Sequence, residues 1–446
     1  MEIVIIGAGD IGFHLCKRLT ADKNNITIIE SDAQKIAHAN EYLDANVIEG
    51  SGCSKKILRK ANIENADILA ALTNNDEVNI IACQIAKKLN VPTTILRVRN
   101  PEYLNNNHYL SNKELGADYI IQPELQTANA IVQLIRQANA TDIVEFENGK
   151  IQLSGIRLDS NAKILRTQLM DLGKKFGNPA FRILAIKRKQ FTIIPKGEDV
   201  LVEGDQIYII CEKEYLPNAL ELFGKSNVKN ENIMIIGGGL VGEFVAKELE
   251  DDINIKIFES NERKSELLAE NLKRTLVIKG DGSDLDLLTF EGLADMDEFI
   301  ALSGDDETNI ITTLVAHHLR VPRTITLVRK FEYLSMTHAI GIDSIVNKQM
   351  ITVNAIKQII GKKKHALFVE LPGMDAEIVE FVANDKSKII RKTLMKTDFP
   401  KDAIVGTVIR KDGSIEIPLG STLIKPGDKV VVFSLPKALA EVEKLF

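Results

Sequence analysis

The hexapeptide Gly7-Ala8-Gly9-Asp10-Ile11-Gly12 returns as Gly237-Gly238-Gly239-Leu240-Val241-Gly242, an offset of 230 residues. At the same offset, the stretch Ala71 to Ile80, carrying Thr73-Asn74-Asn75-Asp76-Glu77-Val78-Asn79, returns as Ala301 to Ile310. Val91-Pro92 through Arg99 to Glu102-Tyr103-Leu104 matches Val321-Pro322 through Arg329 to Glu332-Tyr333-Leu334. Spacing held over so long a span marks a tandem duplication, so any fold for this chain must be one that is built twice. A second pair of matches lies between and after these. Ile194-Pro195-Lys196-Gly197 with Glu203-Gly204-Asp205 returns as Ile417-Pro418-Leu419-Gly420 with Pro426-Gly427-Asp428, now offset by 223. Each half therefore carries a larger unit and a smaller one, in the order A-B-A-B. The expected boundaries are 1–138, 141–224, 231–361 and 366–446.

The A units alternate strand and helix. Residues 2–6, 26–30, 45–49, 67–72 and 93–98 are short β-branched runs separated by helix-length stretches. That pattern predicts an α/β fold, a Rossmann-like parallel sheet covered on both faces. The B units have shorter runs. A helix around 162–175, then strands at 182–187, 191–194 and 206–211, predict a small α+β domain.

Composition narrows the function classes. The 446 residues carry 56 Lys+Arg against 62 Asp+Glu, a formal charge of −6, without the basic excess of a nucleic-acid binder. No apolar run reaches the 18 or more residues of a membrane helix, and nothing at the N-terminus reads as a secretory leader. The four cysteines (Cys16, Cys53, Cys83, Cys211) are widely spaced, which fits a reduced cytoplasmic protein better than a disulfide framework.

The glycine loop supplies the chemistry. After a strand and before a helix, Gly7 permits the tight turn, Gly9 lets a pyrophosphate approach the backbone, and Gly12 lets the helix pack closely. The unpaired N–H groups of the helix then face the phosphates. Glu30, 18 residues past Gly12 at the end of the next strand, can accept both ribose hydroxyls and repels a 2′-phosphate, favouring NAD over NADP. Repeat two supplies Gly237, Gly238, Gly239, Leu240, Val241 and Glu259. Further candidates at strand ends are Ser51, Thr73, Asn74 and Arg97, with Arg97 and Arg99 expected to share a strand face. Thr73 and Asn74 are equally readable as helix caps. In repeat two, Asp281 stands for Ser51, Ser303 for Thr73 and Leu327 for Arg97, so the two sites should differ in affinity or ligand, the first binding more tightly.

Catalytic groups are missing. None of His14, His38, His108, His317, His318, His338 and His365 has a partner in the other repeat or a recognisable carboxylate dyad. His317-His318 occupy adjacent helix positions that do not share a face, so no metal site is expected. Cys53 reads as a small buried residue rather than a redox thiol, and Lys362-Lys363-Lys364 as a solvated linker. Amphipathic helices at 126–138 and 350–360 end the A units, and their apolar stripes suit either core or a dimer contact.

The A-B-A-B order, the two glycine loops and Thr73-Asn74-x-Asp76-Glu77-x-Asn79 resemble the TrkA family, the peripheral subunits of bacterial Trk potassium uptake systems built from RCK (regulator of K⁺ conductance) domains. The resemblance spans the chain. It implies a non-enzymatic cytoplasmic regulator, peripherally attached to the inner face of the cell membrane. It also implies a homotetramer forming a ring of eight A units beneath a membrane-embedded Trk-type potassium transporter subunit. NAD or NADH, and ATP or ADP, would bind at Gly7 to Ile11, Glu30, Ser51, Thr73, Asn74 and Arg97. In repeat two the contacts would be Gly237 to Val241, Glu259, Asp281 and Ser303. The alternatives are an NAD-dependent dehydrogenase and a soluble nucleotide sensor with a non-membrane partner.

Overall fold

The computed structural model describes the chain apart from residues 22–23, 104–110, 138–139, 178–179, 190, 226–229, 332, 335–341, 362–366, 372–373 and 375. His108, His338, His365 and Lys362-Lys363-Lys364 lie outside the described residues, as do Leu104 and Glu332 of the repeat motif.

The first repeat opens with β1 (Glu2–Ile6), β2 (Asn25–Glu30), β3 (Asn46–Glu49), β4 (Ile68–Ala71), β5 (Thr93–Arg97) and β6 (Tyr119–Ile121). They form one sheet in the order β3-β2-β1-β4-β5-β6, with every pair parallel. Central β1 is covered on both sides. Ile3 and Ile5 enter one apolar layer, and Val4 and Ile6 the other. The run Glu-Ile-Val-Ile-Ile is thus a two-face-buried strand rather than an alternating one. The order reverses between β1 and β4, so a crevice opens at their carboxyl ends, where parallel α/β sheets bind ligands.

A small antiparallel domain follows: β7 (Asp142–Phe146), β8 (Ile151–Arg157), β9 (Phe181–Arg188), β10 (Phe191–Ile193) and β11 (Gln206–Glu212), in the order β10-β9-β11-β8-β7. The pattern then recurs. Strands β12 (Asn232–Ile236), β13 (Asn254–Glu259), β14 (Leu276–Lys279), β15 (Glu298–Ala301), β16 (Arg323–Leu327) and β17 (Ser344–Val346) give the order β14-β13-β12-β15-β16-β17. Finally β18 (Leu367–Glu370), β19 (Glu377–Val382), β20 (Ala403–Ile409), β21 (Ile415–Glu416) and β22 (Lys429–Ser434) repeat the small sheet as β18-β19-β22-β20-β21. The two small sheets share one apolar core, in which Phe146, Leu184 and Tyr208 of the first pack with Ile378, Ile409 and Phe433 of the second.

The expected helix around 162–175 is absent. Arg166 adopts φ +60, Leu169 N–H donates to the Asp199 carbonyl and Met170 N–H to that of Gly197. The segment thus spends its backbone donors on the 197–201 turn, leaving only a 3-10 turn (Leu169–Asp171) and the short helix Leu172–Phe176. Strands β7 and β8, not among the strands expected of the B unit, are two of the five strands of the first small sheet.

The chain divides into two compact units: residues 1–127 with 348–362, and residues 128–347 with 363–446. The closing helix of the second repeat, Lys348–Gly361, therefore packs within the first unit, where Val353, Ile356 and Ile360 join Ile3, Leu15 and Ile28 in one core. Residues 128–136 of the helix Pro123–Arg136 belong to the second unit. There Arg323 donates to the carbonyls of Leu134 (2.7 Å) and Ala140 (2.8 Å), and Asn230 to that of Ile135 (3.4 Å). The apolar stripes expected to be core or a dimer contact are core, each in the unit of the other repeat.

Candidate nucleotide site

Both glycine loops lie at the carboxyl ends of the central strands. Gly7 has φ +98, a left-handed backbone that favours glycine, and a Cβ there would press on Thr73 at 3.1 Å. A Cβ on Gly12 would collide with the Gly7 carbonyl oxygen, so the third glycine serves the loop's own closure as well as helix packing. Gly9 faces open space, with nothing within 4 Å of an added Cβ, and Gly239 matches it. Helix Leu240–Leu249 starts at Gly239 with no side-chain cap. Its first-turn N–H donors and positive dipole end are left for an external anion.

Glu30 is buried at the end of β2. Its Oε2 accepts from Ala8 N–H (2.7 Å), and its Oε1 from the N–H groups of Ser31 (2.7 Å) and Asp32 (3.0 Å). The carboxylate is locked onto the loop it faces, and its further lone pairs can accept hydroxyls. Glu259 Oε1 accepts from Asn261 N–H at 2.8 Å. At Gly238, where the first repeat has Ala8, a Cβ would lie 2.9 Å from Glu259 Cβ, so the second loop sits tight on its carboxylate.

Neither Thr73 nor Asn74 caps the following helix. Asn75 does, accepting from Val78 N–H at 2.8 Å, and Asp305 does so in repeat two, accepting from Thr308 N–H at 2.7 Å. Thr73 is held instead by fully buried Asn79, whose Oδ1 accepts from the Thr73 N–H (3.0 Å) and hydroxyl (2.7 Å). Asn79 Nδ2 donates to the carbonyls of Thr73 and Arg97, tying β4's exit to β5's end. Asn309 does the same with Ser303 and Leu327. Asp76 accepts from the N–H groups of Arg99 and Asn100, and Asp306 from those of Arg329 and Lys330. Asn79 and Asp76 were not among the expected site residues, although their recurrence at offset 230 was available as a signal.

Arg97 and Arg99 do not share a strand face. β5 ends at Arg97; Arg99 lies beyond it, half exposed, with its Nε 3.6 Å from Glu124. Arg97 is 7% exposed. Its guanidinium donates to the carbonyls of Leu72 (3.1 Å) and Thr73 (3.2 Å) and to Asn74 Oδ1 (2.8 Å), and its Nε has no partner. Burial pulls its pKa below the usual arginine range, and Glu124 is the strongest of the charges opposing that. Ser51 is exposed, its hydroxyl accepting from Cys53 N–H at 3.2 Å. Asp281 accepts from the N–H (2.9 Å) and hydroxyl (2.8 Å) of Ser283, bonds that hold its carboxyl below the usual carboxylate range.

Burial pushes Cys16 up to about 11, and Cys83 and Cys211 up to about 12. Half-buried Cys53 sits 3.7 Å from the Val78 carbonyl. Among the described residues, no three His, Cys, Asp or Glu side chains are grouped to hold a metal ion, and no helix is long and apolar enough to cross a membrane.

Fold and site together define a tandem protein with two Rossmann-type crevices, each followed by a small antiparallel domain. TrkA-N domain models match residues 3–123 and 233–348, and TrkA-C domain models match 153–224 and 378–446. The chain belongs to the TrkA family. It is 34% identical to the Trk system potassium uptake protein TrkA homolog 1 of Methanosarcina mazei, over all of both chains. It is 32% identical to the Trk system potassium uptake protein TrkA of Haemophilus influenzae, covering all of this chain and 98% of that one. Its fold is that of the GsuK RCK domain (TM-score 0.62, 18% identity, 100% of this chain and 94% of that one). The GsuK channel bound to NAD is similar at TM-score 0.63 and 18% identity, over 100% of this chain and 78% of that one.

Proposed function

We propose that the chain is the nucleotide-sensing regulatory subunit of a Trk-type potassium uptake system. In this reading it works in the cytoplasm against the inner membrane face, docked to a membrane-embedded potassium transporter subunit, as a homotetramer whose eight Rossmann-like domains form a ring. NAD or NADH, with ATP or ADP as competitors, binds across the switch points. The first crevice uses Gly7 to Gly12, Glu30, Ser51, Thr73, Asn74 and Arg97. The second uses Gly237 to Val241, Glu259, Asp281 and Ser303. The observation that carries this reading is the pair of open glycine positions, Gly9 and Gly239, each at the start of a helix and beside a buried strand-end glutamate. The names of the full-length relatives support the transport system, and the NAD-bound GsuK channel supports the ligand.

The ligand stays chemically intact and acts by preferring one ring shape. Four equivalent sites, each preferring that shape about tenfold, supply roughly 5.5 kcal/mol together, enough to swing a population from 1:99 to 99:1. Calorimetry with NAD, NADH, ADP and ATP on wild type, Glu30→Gln and Glu259→Gln tests the placement. Each substitution should weaken binding at one crevice; unchanged isotherms for both overturn it.

A further inference from the structure

Three buried polar atoms beside the first crevice have no hydrogen-bond partner: Nε of Arg97, Oε2 of Glu124 and Oε1 of Gln349. Their residues are 7%, 4% and 4% exposed. Their residues are linked by contacts at the start of the helix that follows the glycine loop. Gln349 Nε2 donates to Oδ2 of Asp10, the first residue of that helix, at 3.4 Å. Lys348, its neighbour, reaches Glu124 Oε1 at 3.3 Å, and Glu124 and Asp10 are both among the charges felt by Arg97. Leaving such atoms dry and unpaired is costly, so a polar group is expected among them.

We propose that these atoms form a carboxamide-recognising subsite that takes the nicotinamide amide of a dinucleotide, with Gln349 supplied by the second repeat's closing helix. The inference rests on the nucleotide reading above and specifies its first crevice. A primary carboxamide brings one acceptor oxygen and two N–H donors. The subsite offers one donor, Arg97 Nε, and two acceptors, Glu124 Oε2 and Gln349 Oε1. A terminal phosphate brings acceptors only. It would leave both oxygens unpaired and face two carboxylates, Glu124 and Asp10. The cations nearby are already engaged: Lys348 and Arg99 by Glu124, and the Arg97 guanidinium by two carbonyls and Asn74. The second crevice has no such subsite. Leu327 stands for Arg97 and Leu240 for Asp10, so two polar members are replaced by hydrocarbon.

The test uses the full-length Gly239→Asp protein, in which a carboxylate placed in open space at the second helix start repels phosphate and leaves the first crevice to be measured alone. Calorimetry compares NAD with ADP-ribose, which keeps both phosphates and riboses and lacks only the nicotinamide. NAD should bind roughly tenfold more tightly, the worth of a small set of hydrogen bonds that includes charged partners. Gln349→Leu should bring NAD to the ADP-ribose level while leaving ADP-ribose unchanged. Arg97→Lys, which keeps the charge and loses Nε, should narrow the same ratio and serves if the first variant misfolds. Equal binding of the two ligands by the parent overturns the subsite and leaves the nucleotide reading standing. Parallel weakening of both ligands by Gln349→Leu also overturns it, because the glutamine would then only support the fold. Binding of neither ligand overturns both readings.

Discussion

The two repeats keep one scaffold and diverge in what lines it. The tight-turn glycines Gly7 and Gly237 sit alike, and the buried asparagines Asn79 and Asn309 and the loop-holding Asp76 and Asp306 make the same backbone bonds in both. Positions that would meet a ligand differ in charge. Arg97 becomes Leu327, Asp10 becomes Leu240 and Ser51 becomes Asp281. The closing helices are also held differently. Lys348–Gly361 lies on the first repeat's unit through Val353, Ile356 and Ile360. The C-terminal turn of Pro123–Arg136 is gripped by Arg323, 8% exposed, itself 3.5 Å from fully buried Glu298. Where Arg323 and Glu298 stand, the first repeat has Thr93 and Ile68. Duplication preserved the bonds that shape the crevice and changed the groups proposed to meet its ligand.

The clasp should give the largest effect. Arg323→Met leaves Glu298 buried without its countercharge and should cost about 3–5 kcal/mol in chemical unfolding. Thr93→Val at the matching position of the first repeat should cost little. Equal losses would erase this contrast between repeats. Burial holds the Glu298 pKa above the usual carboxylate range. The folded chain thus keeps this proton to a higher pH than the unfolded chain, and its contribution to stability falls as pH rises from the ordinary glutamate range through the raised folded value. Glu298→Gln should flatten that slope.

Next in size is the phosphate contact. Gly9→Asp and Gly239→Asp each add a carboxylate in open space at a helix start, and each should weaken nucleotide at its own crevice by about a hundredfold. Calorimetric stoichiometry should fall by one site per chain in either variant; loss of both sites from one substitution would show that the crevices are not independent. Arg97→Leu, which copies the second repeat into the first, should weaken the first site about tenfold, and wild-type affinity in that variant would remove the arginine from the comparison. Asp281→Ser should strengthen the second site only a few-fold, since the aspartate is exposed and its charge is screened. Bonds from Ser283 keep Asp281 ionised below the usual range, so mild acid should not mimic the substitution in a titration from pH 7 to pH 5.

The parallel sheets were legible in the sequence because β1 and β12 are short β-branched runs closed by glycine, and duplication repeats the signal. Gly7 and Gly12 were legible because their spacing is set by the turn itself, and Glu30 because one helix and one strand carry the chain back to the loop. The region 162–175 was misread because its backbone bonds run to residues 197–201, far along the chain and invisible to local periodicity. The role of Asn75 as cap was misassigned by one or two positions, since Thr73, Asn74 and Asn75 are all capping residue types and only geometry separates them. Arg99 was misplaced because β5 ends at Arg97, two residues before the pattern broke. Gln349 could not be foreseen at the first crevice at all: 337 residues separate it from Gly12, and only the exchange of closing helices brings it there.

That exchange sets a limit on how the molecule can be divided. A fragment ending near residue 230 would keep its glycine loop and strands yet lose the hydrocarbon that shields Leu15 and Ile28 from water. Such a half-molecule should take the equivalent helix Pro123–Arg136 of another copy in its place, so that halves made separately would be found as pairs.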